Sequence, residues 1–378
     1  MTLKAMLAEE VANLVVNKKP LFILDVRNES DYKDWKIEGE AVQSINIPYF
    51  DLIDGVDHIL DQLPKDEQIL VVCAKEGSSK FVAESLEEAG VENLAYLSGG
   101  MKSWSEYLYK AEVYKDENVK VYQFLRVGKG CLSYMVISGE EALVVDASRF
   151  LDVYEIAAAN EGVKITHIVD SHLHADHISG GKELSDRVGA EYYLMKSEGA
   201  VFDFNPLENF TNIEFEKVSL EVLAVKTPGH TPGSVSFFVN NKLLFAGDTI
   251  FVGGLGRPDL GGKAAEWAED LYDTVFEKVA KIADDVIVLP GHYASLDDEM
   301  NEHGFVGDTL GNIRARNEMM QTKVKAEFIE QVVANANSET PPNFEEIVAI
   351  NRGSMTADEE KKQELEIGPN RCALHHTH

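Results

Sequence analysis

The sequence predicts a chain of two parts, a small α/β domain followed by a larger, sheet-rich domain of α+β character. Three observations predict it. Short continuous apolar runs alternate with helical patterns from Leu21 to Trp104, as parallel strands covered on both faces require. Beyond the polar stretch "VYKDENVK" the apolar runs lengthen to "VYQFLRV", "LSYMVISG" and "ALVVDAS", with polar turns between them. The length, 378 residues, accommodates two or three domains at roughly 100–200 residues each.

Taken in order, "MTLKAMLAEEVANLVV" interrupts its apolar positions with Glu9 and Glu10, so it reads as an amphipathic surface helix and not as a secretory segment. "LFILDVR", "QILVVCA" and "LAYLSG" are strands. Between the last two, "SSKFVAESLEEAG" sets Phe81, Val82 and Leu86 at helical spacing and closes at Gly90. The first domain ends near residue 110. In the second half, "SVSFFV" and "KLLFAG" flank Asn240 and Asn241, a pair that tolerates positive φ and so predicts a hairpin. One long helix is expected from about Asn312 to Asn335, followed by a less regular tail. The expected partition is 1–112, 118–325, and a C-terminal extension 326–378 packed on the second domain. No tandem repeat or low-complexity linker interrupts it.

Composition narrows the function. Lys and Arg number 35 against 65 Asp and Glu, a net charge of −30, which opposes attraction to nucleic acid or anionic lipid. The run "ADEEKKQE" reads as a solvated face. Three cysteines, Cys73, Cys131 and Cys372, are too few and too scattered for a disulfide framework. With no apolar stretch of membrane-span length, the expectation is a cytoplasmic protein that binds neither nucleic acid nor membrane. A homo-oligomer is the expected assembly.

Two places carry chemistry. In "VVCAKEGSSK", Cys73 ends a buried strand and precedes a helix starting at about Ser78. A thiolate there faces the N–H groups of the turn and the helix start, with Lys75 and Lys80 nearby, all of which favour the ionised, nucleophilic form; for a lone cysteine after an apolar run, a buried and inert thiol is the commoner reading. The second place is spread over four segments, "SHLHADH", "TPGHTPGS", "LLFAGDT" and "VLPGHY", each an apolar run followed by ligand-type residues. Strand ends deliver side chains to a common rim. His172, His174, Asp176, His177, His230, Asp248 and His292 can therefore converge, enough for one metal or two. Cys131 reads as a small apolar residue on a strand. The final "ALHHTH" reads as a tail.

Over about residues 15–108 the spacing of "DVRNESDY", "INIP", the cysteine loop and "GGMKSW" resembles the rhodanese family of sulfurtransferases. The resemblance implies that Cys73 carries sulfur as a persulfide and that the backbone from Ala74 to Ser79, with Lys75, Ser78 and Ser79, cradles the substrate. Where that family often has arginines and an early glycine, this loop reads Ala74, Lys75, Glu76, with glycine only at Gly77. Thiosulfate, a dianion, is then expected to be a poor donor and a small persulfide a better one. Over about residues 118–310 the histidine set resembles the metallo-β-lactamase superfamily, an αββα sandwich. Within it, "GGLGRPDLGG", "GCLSY" and "IGPNRC" look like the persulfide dioxygenase branch.

That second resemblance implies one Fe(2+) per chain held by His172, His230 and Asp248, with His174, Asp176, His177 and His292 around it or serving a second metal. Two imidazoles and a carboxylate on one face leave positions open for persulfide sulfur and O2. Arg257 either pairs with a substrate carboxylate or holds Asp259, and Asp259 and Cys372 join the substrate-binding set. The implied reaction oxidises a low-molecular-weight thiol persulfide with O2 to sulfite and free thiol, coupled to sulfur transfer through Cys73 with sulfite or thiosulfate as partner. Two alternatives stay open: a glyoxalase II-like thioester hydrolase with two Zn(2+), and a non-catalytic sulfane-sulfur-binding protein. The open ligand set speaks against the last, because structural metals are usually enclosed by protein ligands.

Overall fold

The alternation of apolar runs and helices up to Trp104 becomes a parallel sheet with helices between its strands. The elements are β1 (Lys4–Met6), α1 (Ala8–Val16), β2 (Leu21–Asp25), α2 (Glu29–Asp34), β3 (Val42–Asn46), β4 (Ile69–Val72), α3 (Gly77–Glu88), β5 (Leu94–Leu97) and α4 (Gly100–Glu106). The strands lie in the order β1-β5-β4-β2-β3, all parallel. β2 and β4 are buried along their whole length, which is why "LFIL" and "ILVV" show no polar alternation. Asp25, at the end of β2, is neutralised by Arg27, whose Nη2 donates at 2.6 Å.

The N-terminal stretch differs from the expected single surface helix. Lys4–Met6 pair with Ala95–Leu97 as an edge strand, and the helix starts only at Ala8. The helix is amphipathic as expected, with Val11, Ala12, Val15 and Val16 buried and Glu9 and Asn13 exposed. Glu10 accepts the Leu7 N–H at 2.9 Å and so fixes the helix start. α3 ends as expected, with Gly90 at φ +86°.

This computed structural model describes residues 3–223, 233–256, 264–334 and 343–369, without the side chains of 264–267. The chain divides into two units, one of residues up to Tyr109 together with Arg126–Lys129 and Ile367–Pro369, and the other holding the bulk of the chain from Lys110 onward. In the second unit come β6 (Leu108–Lys115), β7 (Lys120–Arg126), β8 (Cys131–Ser138), β9 (Glu141–Val145), α5 (Asp152–Glu161), β10 (Lys164–Val169), α6 (Gly181–Val188), β11 (Glu191–Leu194) and β12 (Asn205–Pro206). These strands form one sheet in the order β12-β11-β10-β9-β8-β7-β6. Then follow β13 (Asn212–Phe215), β14 (Val218–Leu223), β15 (Ser236–Val239), β16 (Leu243–Gly247), α7 (Ala264–Asp273), β17 (Ile287–Pro290), α8 (Leu296–Glu299) and β18 (Asp308–Thr309), whose strands make a second sheet in sequence order. The chain continues through α9 (Leu310–Arg316), α10 (Lys325–Ala334), α11 (Phe344–Asn351) and α12 (Glu359–Glu366).

The two sheets pack face to face. Tyr134 on β8 meets Phe245 on β16 edge-on at 5.1 Å, and its hydroxyl donates to the Pro290 carbonyl at 2.5 Å. Leu271, Ile313 and Phe328, from α7, α9 and α10, cover the outer face of the second sheet over Leu244 and Val288. α5 and α6 pack on the first sheet at β10. The architecture is an αββα sandwich preceded by a small α/β unit. β15 and β16 are joined through Asn240 and Asn241, both at φ +53°, the left-handed values that the hairpin needs.

The single helix expected from Asn312 to Asn335 is interrupted. α9 stops at Arg316 because the Asn317 side chain accepts the N–H groups of Met319 and Met320 and starts a new turn. α10 begins nine residues after Arg316, at Lys325, and Asn335 lies outside the described residues. No helix among the described residues is long and apolar enough to cross a membrane.

Candidate functional site

Cys73 leaves the end of β4 buried at 5% exposure. Its sulfur accepts the Glu76 N–H at 3.1 Å, and the thiol donates to Ser79 Oγ at 3.2 Å, which passes its own proton to the Glu76 carbonyl at 2.8 Å. Glu76 adopts φ +135° in this loop, a strained value for a residue with a side chain. Its carboxylate compensates by accepting from Gly99 N at 2.8 Å and Ser98 Oγ at 3.3 Å. Below the loop, Met101 N and Lys102 N donate to the carbonyls of Cys73 and Ala74. Lys75 is exposed, Ser78 is half-buried, and Lys80 lies over the Tyr96 ring at 6.0 Å.

The second site sits at the carboxyl ends of four strands. Asp146 directly follows β9, β10 leads into Asp170–His177, β16 delivers Asp248 and β17 delivers His292. His172, His174, Asp176, His177, Asp248 and His292 converge there and are buried. His292 Nδ1 pairs with Asp248 Oδ1 at 2.6 Å, and its Nε2 lies 3.0 Å from Asp176 Oδ2. His172 Nε2 is 3.7 Å from the other Asp248 oxygen. The rings of His172 and His174 are 4.3 Å apart, and those of His174 and His177 are 4.2 Å apart. His230, Arg257, Asp259 and Cys372 lie outside the described residues.

Three further groups join this cluster that the sequence reading did not place there. Asp146 accepts the Ser171 N–H at 2.6 Å and the Ser171 hydroxyl at 2.9 Å, anchoring the start of the histidine loop. Asp170 accepts from Ser179 Oγ at 2.6 Å and Tyr192 OH at 2.8 Å. Cys131 sends its sulfur to within 3.4 Å of Asp176 Oδ2 and 3.6 Å of His177 Nδ1, so it is more than strand filler. The available signal was position: both aspartates end an apolar run, as Asp248 nearly does.

The donor set fits a metal ion. Neither ring nitrogen of His174 is hydrogen-bonded, and His292 Nε2 has no aligned partner. Buried polar atoms of this kind call for a partner. Cys131, Asp176, His177 and His292 bring ligand-type atoms within 4.8 Å of one another, as do Asp146, Asp170 and His174. Burial opposes the charged form of His177, yet Cys131 and Asp176 raise it to about 10. Burial likewise opposes the charge on Asp176, but His292 and His177 hold its carboxyl well below the usual range. A metal would displace these protons.

Comparison with known proteins matches residues 126–292 to the metallo-beta-lactamase superfamily and residues 7–107 to the rhodanese-like domain. Over 192 residues the chain is 30% identical to the mitochondrial persulfide dioxygenase ETHE1 of Homo sapiens, covering 50% of this chain and 69% of that protein. The chain belongs to the persulfide dioxygenase family. It is an enzyme of that family with a rhodanese-like, sulfurtransferase-type domain in front. The structure of ETHE1 from Myxococcus xanthus aligns with a TM-score of 0.53 at 26% identity, covering 61% of this chain and 97% of that one. A metallo-beta-lactamase from Staphylococcus aureus aligns with a TM-score of 0.56 at 27% identity over 63% of this chain and 73% of its own. Outside the family, a hydroxyacylglutathione hydrolase of Rhizobium johnstonii is 32% identical over 153 residues, 40% of this chain and 57% of that protein.

Proposed function

We propose that this persulfide dioxygenase oxidises a low-molecular-weight thiol persulfide to sulfite and free thiol, RSSH + O2 + H2O giving RSH, sulfite and two protons, and that its first domain exchanges the same sulfur through Cys73. The observation that carries the reading is the burial of His172 and Asp248 at the strand ends of the sandwich, with His172 Nε2 3.7 Å from Asp248 Oδ2. His172, His230 and Asp248 would hold one Fe(2+), which when bound supplies the place where the persulfide sulfur and O2 meet.

The chain's own residues prepare that place. Ser171 Oγ, itself held by Asp146, fixes His172 Nδ1 at 2.9 Å and thereby aims Nε2 at the Asp248 carboxylate. His292 does the same for Asp248 through Oδ1. His174, Asp176 and His177 surround the centre, and Arg257, Asp259 and Cys372 are assigned to the substrate. In the first domain, the Cys73 thiolate attacks the outer sulfur of a persulfide, the S–S bond breaks and the thiol leaves. The Glu76 N–H that donates to Cys73 Sγ stabilises the anionic sulfur. Lys75, Ser78 and Ser79 line the approach.

A hydrolase reading has one observation in its favour: Asp176, His177 and His292 gather with Cys131 closely enough to hold a second cation. Metal analysis of protein purified without oxygen separates the two, together with an oxygen electrode and a sulfite assay. About one iron per chain with persulfide-dependent oxygen uptake supports the dioxygenase. Two zinc ions with rapid thioester hydrolysis and no such uptake would replace it.

A further inference from the structure

The histidine loop has no strand or helix of its own to satisfy its backbone. Apart from a single bridge between Ser179 and Ser148, residues 171–180 run without a ladder, although nearly all are buried, and buried backbone groups need partners. At its ends Asp146 accepts the Ser171 N–H and the Ala147 carbonyl accepts the Gly180 N–H, while the middle draws its partners from far along the chain. Asn351, the last residue of α11, donates both amide protons into the loop, to His174 O and His177 O, each at 2.8 Å, and its Oδ1 accepts the Ser179 N–H at 3.0 Å. Glu366, the last residue of α12, accepts the Ile178 N–H at 2.7 Å and ion-pairs with Arg149 at 2.5 Å. Ile178 itself packs on Ile347 and Leu365.

The geometry points to Asn351 as a positioning residue for the metal centre, with Glu366 as its helper, so that α11 and α12 form a brace that sets where His174, Asp176 and His177 stand. This rests on the proposal that the centre holds a metal. The chemistry at position 351 is restrictive. A primary amide offers two donors and an acceptor on one short stem, and all three functions are used by one loop. Aspartate would aim a carboxylate at two carbonyl oxygens, and leucine would leave three backbone groups without partners. All three of these hydrogen bonds go to loop backbone, so the influence of Asn351 reaches the metal through the backbone that carries the rings.

Three full-length variants test this: Asn351→Leu, Asn351→Asp and Glu366→Gln. Iron affinity is measured by chelator competition, hydrogen exchange is followed at the amides of residues 174–179, and kcat and KM for a small persulfide are determined separately. The expected result is iron binding weakened by about 10 to 100-fold, the range for partners that orient ligands. Exchange should quicken in that loop alone, with kcat reduced and KM unchanged. A structural role elsewhere in the fold would not confine the exchange change to this loop. Wild-type iron affinity and loop protection in the Asn351 variants would overturn the inference, as would unfolding of the whole second unit in all three. If wild-type protein binds no metal, the functional proposal fails, while the exchange data still decide whether the brace exists.

Discussion

Replacing Gly100 by alanine tests whether the turn after β5 is the floor of the cysteine loop. Gly100 has φ +61°, and a Cβ there would sit 2.5 Å from Cys73 O, 2.7 Å from Lys75 N and 2.8 Å from the Ala74 carbonyl carbon. All three are backbone atoms, so relief requires the loop itself to move. Gly90 provides the control, with φ +86° and nothing within 4 Å of the added carbon. Left-handed backbone costs an alanine about 1–2 kcal/mol, partly offset by about 0.4–1 kcal/mol from restricting the unfolded chain. Gly90→Ala should therefore lose about 1 kcal/mol. Overpacking adds about 1–3 kcal/mol, so Gly100→Ala should lose about 2–4 kcal/mol and shift the Glu76 N–H away from Cys73 Sγ. Urea unfolding of both variants measures the difference, and intact mass after exposure to a persulfide measures sulfur loading on Cys73. Equal stability of the two variants, with loading as in the wild type, would refute the reasoning.

Three other outcomes are expected. Cys73→Ser should abolish sulfur transfer while leaving oxidation of an added persulfide intact; loss of oxygen uptake in the folded, iron-loaded variant would mean that transfer is compulsory. His172→Ala and Asp248→Ala should each empty the metal site, whereas His177→Asn should keep the metal and slow turnover by about 10 to 100-fold. Metal analysis of His177→Asn decides the count, because loss of one of two bound ions would make the centre dinuclear. In metal-free protein, Cys131→Ala should let His177 titrate below its value of about 10, since burial already lowers it and the thiolate is one of the groups that raise it. Imidazole NMR titration reads this directly, and an unchanged value would remove Cys131 from the electrostatics of the site.

Much of the fold was legible because its signals are local. The apolar runs of β2 and β4 and the Asn240–Asn241 turn each announce themselves within a few residues. The edge strand Lys4–Met6 was not legible, because its only reason to be extended is a pairing with Ala95–Leu97. The break after α9 turned on the side chain of Asn317, which competes with the helix for the Met319 and Met320 N–H groups. In the site, histidines at strand ends stood out by residue type. Cys131 did not, because a cysteine on an apolar strand has the pattern of a core residue until the Asp176 and His177 side chains are brought against it.

The attachment of the histidine loop to Asn351 and Glu366 also has a meaning in time. Asn351 lies 177 positions after His174, and Glu366 lies 188 after Ile178. At translation rates of about 5–20 residues per second, roughly 9–35 s separate the appearance of His174 from that of Asn351. A growing chain thus exposes a cluster of imidazoles and carboxylates well before their final spacing is imposed. On the proposal that this brace sets the spacing of a metal centre, the cation that persists is selected only after α11 and α12 have emerged and closed on the loop.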